Sequence, residues 1–315
     1  MRHISALLVI LLLAATSFPS ANGREQPIRN ILIIRLERAA IHSSIVAEYD
    51  LGVSYEHGEG VRRNLRKAWH WYKEAAAQGD TDAENNLGVM CVLDPTDKSD
   101  DYRPPCSSNT LAAKWFRKAA SGGNAYAEFN LGLMQANGEM KGEAFQPHSF
   151  AAARWWNKAA AQGDGEAACQ LGSLYEYREG HGFPKSLSLA KHWYDIAVER
   201  GNADAETSLG VMYFVGKGVA QDRAAATSLF RRAAVQGNSY AQDDLAWVFF
   251  TDGARHPAIR WWRQAAVHGS TTARTILAQI EAARRAGSRN IIPRGGVSNE
   301  VGLPDDAVQE APFIR

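Results

Sequence analysis

The sequence predicts an all-α fold, a right-handed α-solenoid of about six helix–turn–helix repeats closed by a C-terminal capping helix. Three observations predict it. An aromatic–alanine phrase ending in glycine returns along the chain, an alanine–leucine–glycine phrase follows each glycine at a fixed offset, and both are spaced by three and four residues.

The first phrase reads Trp71-Tyr72, Ala75-Ala76, Gly79-Asp80. It returns around Trp115-Phe116, Trp155-Trp156, Trp193-Tyr194, Leu229-Phe230 and Trp261-Trp262. The closing glycines stand at 79, 123, 163, 201, 237 and 269, with spacings of 44, 40, 38, 36 and 32. In a helix these aromatic and alanine positions share one face. The glycine suits a left-handed C-terminal cap, where a β-carbon clashes. The Asp, Asn or Ser after it suits the start of the next helix. The second phrase appears as Ala47/Leu51-Gly52, Ala83/Leu87-Gly88, Ala127/Leu131-Gly132, Ala167/Leu171-Gly172, Ala205/Leu209-Gly210 and Ala241/Leu245-Ala246, and Ala273/Leu277 begins a seventh copy. Its small residues allow close helix approach. A single pair cannot bury its apolar face, so the pairs must stack. Eight of the nine Trp fall in second helices, which marks them as packing residues; Trp247, in a first helix, is the exception.

These phrases resemble the Sel-like repeat (SLR) family, relatives of the tetratricopeptide repeats. Residues 47–79 follow its pattern with Tyr55, Gly58, Gly60, Val61 and Ala68, and residues 205–237 with Gly216, Gly218, Val219 and Asp222. The resemblance covers about residues 43–286. Three repeats depart from the pattern: an insertion at Leu93 to Asn109, a replaced turn at Asn137 to His148, and a shortened turn at Thr251 to Pro257. Such changes fall in loops between helices, where individual members acquire specificity.

The ends read as separate segments. Residues 1–23 have the form of a signal peptide, with Arg2 and His3 before a short apolar run and Ala21-Asn22-Gly23 as cleavage site. The run is too short to span a bilayer. Export to the periplasm is the expectation, secretion the alternative. Residues 24–42 read as an N-terminal cap, with Asn30 as a helix start, and residues 287–315 as a mobile tail. The chain holds 35 basic and 34 acidic residues. Without Arg2 the two signs balance, which argues against a nucleic-acid binder, since displacing phosphate counterions needs a cationic surplus. A local basic patch is compatible with that balance. Of the three cysteines, Cys91 ends a first helix and Cys106 lies in the insertion, so a bridge between them would close that loop and leave Cys169 as a buried free thiol.

A catalytic reading finds little to rest on. The sequence has no His-Glu-x-x-His pair and no Gly-x-Ser-x-Gly elbow. Ser188-Leu189-Ala190-Lys191 matches the Ser-x-x-Lys pattern of penicillin-recognising enzymes, but it falls inside a repeat helix. Gly58-Glu59-Gly60 and Gly216-Lys217-Gly218 are repeat turns with no preceding strand. No metal or cofactor site is expected.

The binding surface is expected on first helices. With the repeat Leu at zero and about 100° per residue, positions −2, −1, +2, +5 and +6 fall opposite the core-facing Ala. That side carries Tyr49, Val53, Val89, Phe129, Leu133, Tyr177, Val211, Phe214, Trp247 and Phe250, with Asn85 and Asp243 among its polar neighbours. In tetratricopeptide-like solenoids it lines the concave surface, and apolar residues rimmed by polar ones suit a protein-binding groove. Burial of this column by tight coiling is the competing expectation, since a helix apolar all round is usually buried. The resemblance implies binding to a protein. Exported members include periplasmic immunity proteins that neutralise phospholipase effectors delivered by type VI secretion, and periplasmic regulators of exopolysaccharide signalling. The divergent loops favour the first. An envelope scaffold and a cell-wall or β-lactam-acting enzyme are the other readings.

Overall fold

A computed structural model of the chain describes residues 25–92, 108–138, 148–177 and 183–285. The proposed signal peptide and tail, most of the insertion and of the replaced turn, and Cys106 lie outside them. Fourteen helices run through the described residues, and no strand occurs among them. The described residues divide into two compact units, residues 25–78 and the described residues from 79 onward.

In the first unit, α1 (Glu25–Ile41) precedes the pair α2 (Ile45–His57) and α3 (Leu65–Ala77). Asn30 lies within α1, which starts five residues earlier than the sequence suggested. Ser44 and Asn64 cap α2 and α3 by accepting from the backbone N–H three residues on. Tyr55 donates to Glu37 at 3.1 Å and Tyr72 to Glu56 at 2.5 Å, so buried phenols tie the three helices together.

The second unit holds five helix pairs: α4 (Thr81–Val92) with α5 (Asn109–Ser121), α6 (Ala125–Ala136) with α7 (His148–Ala161), α8 (Gly165–Tyr177) with α9 (Leu187–Glu199), α10 (Ala203–Val215) with α11 (Arg223–Val235), and α12 (Ser239–Thr251) with α13 (Arg255–Val267). The half repeat α14 (Thr271–Arg285) follows and packs on α13. Each second helix of this unit packs on its own first helix and on the first helix that follows it.

The two phrases explain this packing. Of each aromatic pair the second ring is the core residue: Phe116, Phe230 and Trp262 are fully buried, while Trp115 and Trp261 are half-buried. That ring lies flat against the glycine of the first helix. A β-carbon on Gly210 would sit 2.7 Å from the Phe230 ring, and one on Gly172 2.5 Å from Tyr194, so a side chain there must push the helices apart. The closing glycines adopt positive φ, as at Gly237 (93°), where an L-residue is strained.

At three seams the residue after the closing glycine works twice. Asn124, Asn202 and Asn238 accept the backbone N–H of the new helix at 2.8–2.9 Å. With their amide groups they donate to an acid of the preceding repeat: Asn124 to Asp82 at 2.7 Å, Asn202 to Glu166 at 3.1 Å, and Asn238 to Asp204 at 2.6 Å. Cap and inter-repeat joint are one side chain.

Candidate protein-binding surface

The predicted column divides by burial. Tyr177 is exposed, and Tyr49, Val53, Phe214 and Phe250 are half-buried. Asn85, Val89, Phe129, Leu133, Val211, Trp247 and Asp243 are buried, which corrects their placement on an open surface. The first helices α6, α8, α10 and α12 each pack against the second helices on both sides. For example, α12 packs against both α11 and α13, and α8 touches the next first helix α10, so the side opposite the repeat Ala is covered as well.

Trp247 shows this most clearly. Its ring meets Trp262 edge-on at 5.4 Å and Phe250 at 5.7 Å, and it is 5% exposed. Phe214 and Phe250 border the same apolar cluster, Phe214 with its ring 6.4 Å from that of Phe230. The Arg223 guanidinium stands 5.1 Å over the Phe214 ring, a cation–π contact. On α8, the Lys217 ammonium stands 4.4 Å over exposed Tyr177 and pairs with buried Glu176 at 2.9 Å. Asn85 accepts from Asn130 at 2.9 Å, joining two first helices inside the stack. In the first unit, Tyr49 lies 5.9 Å from Tyr72.

Asp243 was read as a rim residue and is instead 6% exposed. Ser270 donates to its Oδ2, and Oδ1 has no hydrogen-bond partner. Burial raises its carboxyl from 3.8 to about 6, with the Ser270 bond opposing. Because the folded value lies above the unfolded one, the folded state takes up the proton more readily. The stability this gives is complete below about pH 4 and lost as pH rises through about 6. Asp243→Asn is therefore expected to raise stability at pH 7.5 by about 1–3 kcal/mol, with no gain below about pH 4. Urea melts of both proteins across that pH range check this.

Sequence reasoning passed over a buried acidic position beside the repeat Ala. Glu84 pairs with Lys118 at 2.8 Å, Glu128 accepts from Gln162 at 2.7 Å, and Glu206 pairs with Arg232 at 2.5 Å. Burial raises the carboxyls of Glu128 and Glu206, and these partners oppose it. The signal was present as the recurring dipeptide Ala-Glu at 47–48, 83–84, 127–128 and 205–206. The charges divide between the two kinds of helix. In the second unit, the first helices of the five pairs hold nine acidic and no basic side chains, and the second helices hold twelve basic and two acidic. Most of those acids are buried against their partners, so the exposed sides of the second helices are left basic.

The Ser-x-x-Lys pattern does not assemble a nucleophile. Ser188 shares a bond with Ser186 at 3.1 Å, and the Lys191 ammonium is held by Asp195 at 2.8 Å. That bond raises the lysine, whereas a general base needs it lowered.

A stack of helix pairs whose polar side chains serve capping and inter-helix bonds defines a repeat scaffold that works through its surfaces. A family model for the Sel1 repeat matches residues 45–80, 81–124, 125–164, 165–202, 203–238 and 240–270, and the chain belongs to the Sel1 repeat family. Proteins of this family are typically protein-interaction scaffolds rather than enzymes. A protective antigen present in uropathogenic Escherichia coli strains, c5321, is 26% identical with a TM-score of 0.63, covering 81% of this chain and 52% of that one. A Sel1 repeat protein from Oxalobacter formigenes is 28% identical with a TM-score of 0.62, covering 71% of this chain and 88% of that one. The immunity protein Pa5087 from Pseudomonas aeruginosa is 18% identical with a TM-score of 0.46, covering 70% of this chain and 78% of that one, a likeness too distant to carry an argument. Among curated proteins, the chitin synthase regulator SKT5 of Saccharomyces cerevisiae is 46% identical over 50 residues, which are 16% of this chain and 7% of that protein. No helix among the described residues is long and apolar enough to cross a membrane.

Proposed function

We propose that the chain is an exported binder of one protein partner, and that it acts as a periplasmic immunity protein neutralising an antibacterial effector of phospholipase type. The observation that carries the binding role is a pair of half-buried aromatic rings bordering one apolar cluster, Phe250 against buried Trp247 and Phe214 beside buried Phe230. Rings held in place before binding lose little entropy on docking, and such aromatics dominate hot spots. Support for an immunity role comes from the signal-peptide form of residues 1–23 and from the loops that differ from repeat to repeat. A periplasmic regulator or scaffold of exopolysaccharide signalling is the second reading, with the same surfaces and several partners.

Co-purification from the periplasm with mass spectrometry identifies the partner, and one tight partner supports the binder. Phe214→Ala is then expected to weaken binding by about 2 kcal/mol. Deletion of the gene should leave cells vulnerable to siblings that deliver the effector. Expression with residues 1–23 should protect them and expression without these residues should not. Unchanged survival of the deletion strain beside such siblings would remove the immunity role.

The bridge of Cys91 with Cys106 belongs to the same proposal of an exported protein. Cys91 is disulfide-bonded, Cys169 is free and buried, and Cys106 lies outside the described residues. Closing a loop of about 15 residues should stabilise the fold by roughly 3 kcal/mol. Peptide mapping of periplasmically made protein should find one linked pair, and three alkylatable thiols would end the idea.

A further inference from the structure

The exposed side of the second helices carries two grooves in equivalent places of consecutive repeats. One, of about 830 Å³, runs along α11 and is lined by Thr227, Ser228, Arg231, Arg232 and Val235. The other, of about 580 Å³, is lined by Val235, Trp261, Arg263 and Val267. Val235 borders both, so the grooves meet there. Arg231 and Arg263 hold the same position after their aromatic pairs, and Val235 and Val267 hold the same position before their closing glycines. Both valines stand free of the fold, 76% and 83% exposed. Arg232 is engaged by Glu206, whereas Arg231 and Arg263 make no ion pair among the described residues. A guanidinium beside an exposed aliphatic side chain, repeated once, suits a peptide that alternates carboxylates with aliphatic residues.

The chain itself contains such a segment. Residues 295–314 carry Glu300, Asp305, Asp306 and Glu310, interspersed with Val301, Leu303 and Val308, and hold no basic side chain. They lie outside the described residues. They are also within reach. The second groove includes His268, three residues before α14 begins, and the fifteen residues of α14 span about 22 Å. Residues 286–299 can cover up to roughly 45 Å when extended, enough to return along the helix.

We propose that the acidic segment 300–310 of this chain seats in the groove along α11 and α13, its carboxylates on Arg231 and Arg263 and its aliphatic side chains on Val235 and Val267. Acidic partner proteins and anionic bilayers are the competing occupants. The alternation of guanidinium and valine along two repeats matches an extended peptide that alternates carboxylates with aliphatic residues, which favours the peptide.

The test uses the full chain and a labelled synthetic peptide of residues 297–312. A variant with the segment neutralised (Glu300→Gln, Asp305→Asn, Asp306→Asn, Glu310→Gln) leaves the groove open. It should bind the peptide at least tenfold more tightly than the native chain, whose tethered segment competes at high effective concentration. Adding Arg231→Gln and Arg263→Gln to that variant should lower peptide affinity at least tenfold without changing the melting temperature, since both side chains are exposed. Equal affinity of native and neutralised chains would overturn the proposal, as would peptide binding indifferent to the two arginines. Binding to phosphatidylglycerol vesicles that needs those arginines, with no peptide binding, would overturn it in favour of a lipid surface.

Discussion

Trp262→Ala is expected to lower stability by about 3–5 kcal/mol, while Trp261→Ala, its neighbour in the chain, should cost less than about 2 kcal/mol. Trp262 has no exposed surface, and its ring meets Trp247 at 5.4 Å and Phe250 at 5.7 Å. Its removal leaves a cavity that helices fixed by their caps cannot close. Trp261 is half-buried and borders the groove along α13, so water fills the space it leaves. Denaturant melts of the two variants decide the matter. Equal losses would mean that both rings are core and that the packing assigned to the pair is wrong.

Lys217→Met should cost about 3 kcal/mol, a large effect for a turn residue. Glu176 has no exposed surface, and its two oxygens are taken by the Tyr194 hydroxyl at 2.7 Å and the Lys217 ammonium at 2.9 Å. Without the ammonium a carboxylate is left buried with one neutral donor. The loss stands at the lower end for a broken buried pair because Lys217 is itself 30% exposed. Adding Glu176→Gln removes the stranded charge and should recover more than half of the loss. A double-mutant cycle measures this coupling, and additive losses would show that the pair contributes nothing as a pair.

Repeats and helix pairs were legible in the sequence because their causes are local. A capping side chain, a left-handed glycine and an aromatic facing a small residue each act within one repeat, and that combination returns along the chain. Burial of the first-helix column was less legible. A helical wheel separates inside from outside for one contact face, and Trp247 and Asp243 lie on a helix with neighbours on several sides. The wheel sets them apart from the repeat Ala and cannot say what stands against them. Ala-Glu dipeptides were visible, yet a charged residue beside a core alanine reads as solvated until its partner is known. For Glu206 that partner, Arg232, lies in the following helix. The basic side of the second helices could have been found by counting charges helix by helix, but the chain's neutral total conceals it.

The double duty of the capping asparagines bears on how freely repeats can be traded in evolution or by design. An amide stands at the cap wherever the preceding repeat offers a carboxylate two residues after its own cap: Asn124 with Asp82, Asn202 with Glu166, Asn238 with Asp204. Where that place is held by Tyr126, the next cap is Asp164, which accepts from the backbone of its own helix and has no amide to give. Junctions thus come in two kinds. A repeat moved between places of the same kind keeps its match, and one moved between kinds loses it. The aspartate cap of α8, set behind Asp82, would bring two carboxylates together where an amide now bridges. Shuffling whole repeats within this chain therefore requires editing the cap wherever the new seam joins two different kinds.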